Sequence, residues 1–296
     1  MNRRQFTKKT LLTTAFLSSV PLTGFMNQVK NRKIRKGIMW SSIGVGETIK
    51  EKFMAAKQAG FDGIEPMSHL NREEVLAARD KTGLKIPSVC GALHGRYPLS
   101  DPDPLVREQG VDALRHTLED ASIYGADTVL LVPGRVNEEV YYDDCWNRSI
   151  TEIRKVIPLA ERLNIFIAIE NVWNNFLLSP LEAARYVDQF NSPFVRFYFD
   201  CGNILRYGWP EQWIRILDKR IVKVHIKEYS LELANSQGIR AGFGVKLLEG
   251  DVNWPAVMKA LDDINYNDWA TIEQAGGDTM EGLSDLSYRL TKILGS

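Results

Sequence analysis

Short apolar runs alternate with longer segments of helical periodicity from Lys36 to the end of the chain. The short runs have the length and the apolar content of strands, and they lie at residues 37–41, 63–66, 86–92, 128–132, 166–170, 195–200, 222–226 and 269–273. The segments between and after them predict helices at residues 48–59, 71–82, 104–124, 143–163, 180–190, 210–217, 254–264 and 281–294. Residues 165–169 are apolar on both faces, which is typical of a strand covered on both sides in a parallel sheet.

Local signals support several of these helix boundaries. Asn71 stands three residues before Glu74, as in a capping box, and Pro180 and Pro210 stand at predicted helix starts. The repeated strand–helix alternation predicts an α/β protein, a single-domain (β/α)8 barrel at residues 33–296. An open, doubly wound sheet is the structural alternative, but no glycine-rich phosphate loop follows the first strand.

Composition and charge narrow the classes of function. The chain has 296 residues, of which 44% are hydrophobic, and this is enough apolar material for one large core. Because 37 Lys and Arg residues balance 37 Asp and Glu residues, no overall positive field favours nucleic acid, and we expect no nucleic-acid partner. Cys90, Cys145 and Cys201 are widely spaced and form neither a disulfide framework nor a cysteine metal motif.

The N-terminal segment differs from the rest of the chain. Arg3 and Arg4 are followed by Phe6 and by a moderately apolar run at residues 11–26 that is rich in Thr and Ser and has no acidic residue. This pattern resembles a twin-arginine export signal, so we assign residues 1–32 to a signal and linker and expect a periplasmic or otherwise exported protein. The run is too short and too polar for stable membrane insertion. The alternative is a basic leader on a cytoplasmic protein.

Candidate chemistry lies where apolar strands end, because the reactive residues of such barrels stand at the carboxyl ends of the strands. Glu170, Asp200 and Glu273 each follow directly on an apolar run, and His225 lies within another. A charge left unpaired at such a position would cost several kcal/mol, so these carboxylates need a partner. Each residue alone could be a strand-end cap. A barrel without a functional site, however, would not be expected to carry a titratable residue near the end of each of its last four predicted strands.

One divalent metal ion satisfies this set of side chains together. A mixed oxygen and nitrogen ligand set suits Mn²⁺, Mg²⁺, Co²⁺ or Zn²⁺. A metal with open positions can chelate the carbonyl and neighbouring hydroxyl of a sugar and stabilise an enediolate. Carboxylates on the two faces of that plane can then remove and return a proton. The residues therefore predict proton transfer on a small sugar or sugar derivative.

Further candidates for contact with the substrate lie near the predicted strand ends. His94 and Arg96 follow the third predicted strand, and Glu65 ends the second, where it could contact a sugar or support His94. Lys227 shares the strand face of His225 by the period of two. Trp40, Trp173 and Phe176 could offer apolar faces to a sugar ring, although such aromatic residues more often pack in the core. His69 and His116 lie on helix-like segments, which favours structural roles.

Four short motifs resemble the metal-binding motifs of the sugar phosphate isomerase/epimerase family, the xylose isomerase-like TIM barrels. They are Ile-Glu-Asn at 169–171, Asp-Cys-Gly-Asn at 200–203, Val-His-Ile-Lys at 224–227 and Ile-Glu at 272–273. Residues 93–99, 107–110, 242–244 and 250–254, with Gly134, are similar to the branch of L-ribulose/L-xylulose-5-phosphate 3-epimerases and D-tagatose 3-epimerases. The resemblance covers roughly residues 36–296.

The resemblance implies roles for particular residues. Glu170 and Glu273 would be metal ligands and also the acid/base pair, while Asp200 and His225 would complete the metal site. Ketohexose epimerases usually have His at the third position after the aspartate, whereas this chain has Asn203, which can hydrogen-bond a substrate hydroxyl but cannot titrate. The resemblance also implies a homodimer.

Other functions within and beyond this family stay open. Aldose–ketose or hydroxypyruvate isomerisation uses the same metal-enediolate chemistry. A lyase or epimerase of unphosphorylated 3-keto sugars would suit an exported enzyme better than a sugar-phosphate enzyme would. A DNA-repair endonuclease is disfavoured, because such barrels need more imidazoles than the 4 His present and because the net charge is zero. A non-catalytic sugar-binding barrel would not require both flanking glutamates.

Overall fold

The computed structural model describes residues 32–296 of the chain. Eight parallel strands form one sheet, with the spatial order β2-β1-β8-β7-β6-β5-β4-β3. The strands are β1 (Arg35–Met39), β2 (Gly63–Glu65), β3 (Ser88–Cys90), β4 (Thr128–Leu131), β5 (Phe166–Glu170), β6 (Val195–Asp200), β7 (Ile221–Ile226) and β8 (Trp269–Ile272). Isolated parallel bridges, Gly63 to Lys85 and Met67 to Cys90, bring β2 and β3 together. The sheet is therefore a nearly closed barrel, which confirms the predicted fold and every predicted strand.

Eleven α-helices occur in the part of the chain that the structure describes. They are α1 (Ile49–Gln58), α2 (Arg72–Thr82), α3 (Pro104–Tyr124), α4 (Tyr142–Arg154), α5 (Ile157–Leu163), α6 (Pro180–Asp188), α7 (Gly202–Leu205), α8 (Pro210–Leu217), α9 (Leu231–Gln237), α10 (Trp254–Asp263) and α11 (Met280–Leu294). Asn71 caps α2 by accepting a hydrogen bond from the Glu74 N–H, as the sequence predicts. Across residues 32–296, no helix combines the length and hydrophobicity needed to cross a bilayer.

The single helix predicted at residues 143–163 is wrong, because the structure has two helices there. The chain leaves α4 at Lys155 and begins α5 at Ile157. Pro158 lies in the first turn of α5, where a proline is tolerated because the missing N–H would have no helical partner. Within a continuous helix the same proline would remove a hydrogen bond and clash with the preceding turn. The short helices α7 and α9 were not predicted, and they lie in the loops after β6 and β7.

Alternation along the strands separates two layers of the core. One face of the sheet packs against the helices and contributes most of the large hydrophobic cluster, for example Ile167, Phe197 and Val224. The other face points into the barrel, where a small cluster contains Met39, Cys90, Leu130, Ala168 and Tyr198. Successive side chains of a strand point alternately outward and into the barrel. The polar residues at the strand ends occupy inward positions of this alternation and therefore point into the barrel.

The predicted signal and linker at residues 1–32 lie outside the described residues, apart from Arg32. The Arg32 guanidinium forms an ion pair with Asp262, at 2.9 Å between Nε and Oδ1, and also donates to the carbonyl of Leu294 at 2.7 Å. The Arg32 side chain is thus in contact with the barrel. The compact unit begins at this residue and extends to Ser296.

Candidate metal centre

The residues predicted to bind metal meet inside the barrel at the carboxyl ends of its strands. Glu170 is the last residue of β5, Asp200 is the last residue of β6, and His225 lies opposite Asp200 on β7. Glu273 directly follows β8. One ligand atom from each of these four residues lies within 4.8 Å of the others. We call this group the carboxylate–histidine cluster.

His225 lies at the middle of the carboxylate–histidine cluster. Its Nδ1 is 2.8 Å from Oε1 of Glu170 and 3.1 Å from Oε2 of Glu273. Strand order explains this arrangement, because β6 and β7 lie between β5 and β8 in the sheet. The two glutamates therefore flank Asp200 and His225 from the two sides of a four-strand arc.

Lys227 brings a positive charge to the same group. Its Nζ lies 2.7 Å from Oε2 of Glu273 and 3.0 Å from Oδ2 of Asp200. The side chain of Asp200 is fully buried, whereas that of Glu273 is 26% exposed. Glu273 is thus the carboxylate of the cluster that is most open to a ligand entering from solvent. The substrate contact predicted for Lys227 stays a prediction.

The protein environment gives the two glutamates opposite proton affinities. Burial raises the pKa of Glu170 to about 7, even though the hydrogen bond and charge of His225 act in the other direction. Burial also acts to raise the pKa of Glu273, but Lys227 and His225 outweigh it and hold that pKa well below its ordinary value. Pairs of carboxyl groups whose environments separate their pKa values are typical of acid/base sites.

His225 and Asp200 are also perturbed. Burial lowers the pKa of His225, but the carboxylates of Glu65, Glu170 and Glu273 outweigh burial and raise it well above its ordinary value. Burial raises the pKa of Asp200 more than the Lys227 charge lowers it. The pKa shift of His225 thus follows from the surrounding carboxylates, and that of Asp200 follows mainly from burial.

The donor set fits a divalent cation. Oδ2 of Asp200 is buried and has no hydrogen-bond partner, although the Lys227 ammonium lies 3.0 Å from it. The Lys227 ammonium is shared between Asp200 and Glu273, so it offsets only part of the negative charge of the three carboxylates. The carboxylates and the single imidazole form the mixed set that Mn²⁺, Mg²⁺, Co²⁺ and Zn²⁺ accept. The residues present therefore suit a divalent metal.

A buried amide network fixes Asp200 within the cluster. The Asn171 side chain accepts a hydrogen bond from the Asp200 N–H at 2.9 Å and donates one to the Asp200 carbonyl at 2.8 Å. Asn203, predicted to bind substrate, donates from Nδ2 to the Asn171 carbonyl at 3.0 Å. Its Oδ1 lies 3.5 Å from Nζ of Lys227. Asn203 is thus partly engaged in holding the strand ends together, and its substrate contact stays a prediction.

The remaining residues predicted to bind substrate lie at different depths. Glu65 is fully buried, and the substrate contact predicted for it stays a prediction. His94 is close to the ends of the strands, where the Val132 N–H lies 3.4 Å from its Nδ1, and burial lowers its pKa to about 4. Arg96 is exposed, and its guanidinium lies 5.2 Å from the centroid of the Tyr97 ring.

The helix-like position predicted for His69 is wrong. His69 lies in a turn after β2 with a φ of 66°, whereas His116 is within α3. The two rings stack with their centroids 4.1 Å apart beside the buried Asp120. Arg72 already binds Asp120, with 2.6 Å between Nε and Oδ1, and it therefore competes with any cation there.

An aromatic wall stands beside the carboxylate–histidine cluster. Trp173, Tyr229 and Phe243 form it, with the rings of Trp173 and Phe243 4.7 Å apart and those of Tyr229 and Phe243 4.9 Å apart. Nζ of Lys227 lies 5.5 Å from the centroid of Phe243. Of the three wall residues, the sequence pointed only to Trp173. Trp40 instead packs towards Phe53, with ring centroids 6.5 Å apart, and Phe176 is buried in the core.

Two polar residues that the sequence did not reveal hold the loop carrying Phe243. Gln274 donates from Nε2 to the carbonyls of Phe243 and Val245, at 3.0 Å and 2.8 Å, and its Oε1 accepts from the Glu228 N–H at 2.8 Å. Glu228 in turn accepts hydrogen bonds from the same loop. The position of Gln274 directly after Glu273 was the available signal, but its partners are in another βα loop.

Comparison with known proteins gives similar enzymes at low sequence identity. The chain is 29% identical over 216 residues to L-ribulose-5-phosphate 3-epimerase UlaE of Escherichia coli K12, a match that covers 67% of this chain and 75% of the relative. The structure of the E. coli 3-keto-D-glucoside 4-epimerase YcjR aligns with a TM-score of 0.73 at 21% identity, over 88% of this chain and 100% of that chain. An L-ribulose 3-epimerase structure aligns with a TM-score of 0.73 at 19% identity, over 88% and 94% of the two chains.

The family assignment rests on a match to a family model over most of the chain. The xylose isomerase-like TIM barrel profile matches residues 53–288, a range that runs from α1 into α11 and includes all four residues of the carboxylate–histidine cluster. The solved structures show the same fold. With its parallel barrel and the strand-end cluster, this chain belongs to the xylose isomerase-like TIM barrel family.

Proposed function

We propose that this protein is a metal-dependent sugar epimerase of the ketose 3-epimerase type, an isomerase that moves a proton at the carbon beside a carbonyl. The observation that carries the proposal is the pair of glutamates flanking His225, with Nδ1 at 2.8 Å from Glu170 and 3.1 Å from Glu273. Epimerisation needs one group to remove a proton and a second to deliver one. Two carboxyl groups that contact one imidazole from two sides meet that need.

The surroundings of each residue suggest its role in the proposed proton transfer. When bound, a divalent metal supplies polarisation of the sugar carbonyl, which acidifies the hydrogen on the neighbouring carbon. Glu273, kept ionised by the Lys227 ammonium at 2.7 Å, accepts that proton on a carboxylate oxygen. Glu170, on the other side of His225, delivers a proton to the carbon. The aromatic wall excludes water from one side of the site and offers an apolar surface to the sugar.

The names of similar proteins support the substrate class at the level of a small sugar. The sequence relative is an epimerase of L-ribulose 5-phosphate, and the solved structures include epimerases of L-ribulose and of a 3-keto-D-glucoside. We propose a keto sugar or keto-sugar derivative for this chain, with one of Mn²⁺, Mg²⁺, Co²⁺ or Zn²⁺ as its metal. The proposal includes a homodimer, which rests on the family resemblance alone.

Deuterium exchange tests the proposed reaction. Metal-loaded protein is incubated in D₂O with L-ribulose, L-ribulose 5-phosphate, D-tagatose and a 3-keto glucoside, and each carbon is followed by NMR. We expect exchange at C3 of at least one free or phosphorylated ketose, because reversible proton removal there admits solvent deuterium. Protein treated with a chelator is the control and should show no exchange. Exchange confined to C1 of a ketose would identify an isomerase instead, and exchange at C2 or C4 of the 3-keto glucoside would identify an epimerase of 3-keto sugars. Absence of exchange on every sugar would refute the mechanism.

We also propose that the chain is exported by the twin-arginine route. The support is the Arg3–Arg4 pair, with Phe6 and the weakly apolar run after it. In a bacterium with an active twin-arginine system, we expect the full-length chain in the periplasmic fraction. The Arg3→Lys/Arg4→Lys double variant should stay in the cytoplasm, with Lys8→Arg as the matched control. Equal export of the double variant and the unmodified chain would contradict the assignment.

A further inference from the structure

A buried hydrogen-bond network lies on the Nε2 side of the His225 ring, opposite the Nδ1 atom that faces Glu170 and Glu273. Nε2 of His225 is 3.1 Å from Oε1 of Glu65, at the end of β2. The other Glu65 oxygen accepts hydrogen bonds from the Tyr198 hydroxyl at 2.7 Å and from the Ser88 hydroxyl. Glu65, Ser88, Tyr198 and His225 are each fully buried. The four side chains are therefore shielded from solvent.

We propose that Glu65 is a positioning residue that accepts the Nε2–H of His225 and so directs the Nδ1 lone pair of His225 toward the metal. This inference rests on the metal centre of the proposed function. A neutral imidazole carries its proton on one nitrogen only, and the hydrogen bond made by that nitrogen decides which atom is left as the ligand. Carboxylates that hold a metal-binding histidine in this way raise both its order and its basicity.

The geometry assigns the two ring nitrogens to different partners. Nδ1 faces Glu170 and Glu273, the glutamates of the cluster, whereas Nε2 contacts Glu65. The Tyr198 ring also packs against the imidazole, with centroids 4.4 Å apart, and this limits rotation of the ring. Because the ring is held from two directions, Glu65 can fix both its orientation and its tautomer.

The surroundings of Glu65 explain how a carboxylate is tolerated there. A buried charge without hydrogen bonds would cost several kcal/mol. The hydroxyls of Ser88 and Tyr198 both meet Oε2, which leaves Oε1 for the imidazole of His225. The two hydroxyl groups therefore orient the carboxylate, and the carboxylate orients the histidine. This chain of contacts reaches across the barrel interior from β3 and β6 through β2 to β7.

The affinity of the protein for metal alone tests the role of Glu65. Mn²⁺ binding to chelator-treated protein is measured by calorimetry, without any sugar, for Glu65→Leu and Glu65→Gln. We expect Glu65→Leu to weaken binding about 10- to 100-fold, the usual effect of losing such a partner. Glu65→Gln should retain much of the affinity, because its amide oxygen can still accept the Nε2–H. Glu152→Gln, at another buried glutamate that pairs with Arg107 on the outer helices, is the matched control and should bind like the unmodified protein.

A spectroscopic measurement keeps the proposal testable if the Leu variant folds poorly. The chain has 4 His, so the side-chain nitrogens of Zn²⁺-loaded protein can be resolved by ¹⁵N NMR. We expect His225 to carry its proton on Nε2 and to bind Zn²⁺ through Nδ1. A proton on Nδ1, equal Mn²⁺ affinity of the Leu variant and the unmodified protein, or equal weakening by Leu and Gln would overturn the proposal. Failure of the sugar-exchange test would leave these metal measurements unaffected, so the two proposals fail separately.

Discussion

Replacing Glu273 by Gln is expected to slow deuterium exchange at C3 by about 10³-fold, within the range that a lost general acid or base produces. The amide of Gln cannot accept a proton, yet it has nearly the shape of the carboxylate. Glu273 is also the most exposed carboxylate of the cluster, at 26% of its side chain, and is the one nearest to Lys227. The exchange rate is measured with the metal content of each sample, so that loss of metal is separated from loss of proton transfer.

Glu170→Gln should reduce formation of the C3 epimer by a similar factor, because delivery of a proton to the opposite face is as necessary as removal of the first proton, whereas Glu273 alone can still exchange the hydrogen at C3. Glu281→Gln is the matched control, since this exposed carboxylate lies in the first turn of α11. The control should exchange at the rate of the unmodified protein. If Glu273→Gln retained its metal and also its full exchange rate, the assignment of the proton acceptor would be wrong.

Replacing Glu228 by Ala is expected to lower the free energy of unfolding by about 3–5 kcal/mol, because several donors lose a charged acceptor at once. The fully buried carboxylate accepts from the N–H groups of Leu248 and Val252 at 2.9 Å and 3.0 Å. It also accepts from Nε1 of Trp254 at 2.8 Å. These contacts attach the loop between α9 and α10 to the end of β7. The free energy is measured by urea denaturation of the protein.

Two further variants test whether the loss of stability in Glu228→Ala comes from the lost hydrogen bonds of the buried carboxylate. Glu228→Gln keeps one acceptor oxygen and should lose less stability than Glu228→Ala. Glu232→Ala removes an exposed glutamate from the first turn of α9 and should change stability by less than about 0.5 kcal/mol, as surface substitutions usually do. A loss below about 1 kcal/mol for Glu228→Ala would show that these hydrogen bonds are replaced by water.

Hydrogen bonds of Glu228 also connect the end of β7 with the aromatic wall beside the carboxylate–histidine cluster. Its backbone N–H donates to Gln274, and Gln274 holds the carbonyl of Phe243 at 3.0 Å. Phe243 in turn packs on Trp173 and beside Lys227. The loop that carries one part of the aromatic wall is therefore attached to β7 and to the residue after Glu273.

The sequence by itself determined the barrel and the candidate metal residues. Alternating apolar runs indicate strands, and the parallel arrangement places all of their carboxyl ends at one end of the barrel. A polar residue that directly follows an apolar run must then lie near others of its kind, and for this reason the strand pattern alone groups Glu170, Asp200, His225 and Glu273. The helix at 143–163 was predicted as one element because its apolar period continues across the break before Pro158.

Only the tertiary structure decided which inward side chains meet. The period of two shows that Glu65 and His225 point into the barrel, but not that they touch, since 160 residues separate them. The contact depends on strand register and on closure of the sheet, and neither is encoded in a local pattern. For the same reason, the sequence did not predict the contact of Lys227 with two acidic side chains. It also did not predict that Gln274 holds the loop that carries Phe243. Local periodicity fixes the direction of a side chain, while packing of distant strands fixes its partner.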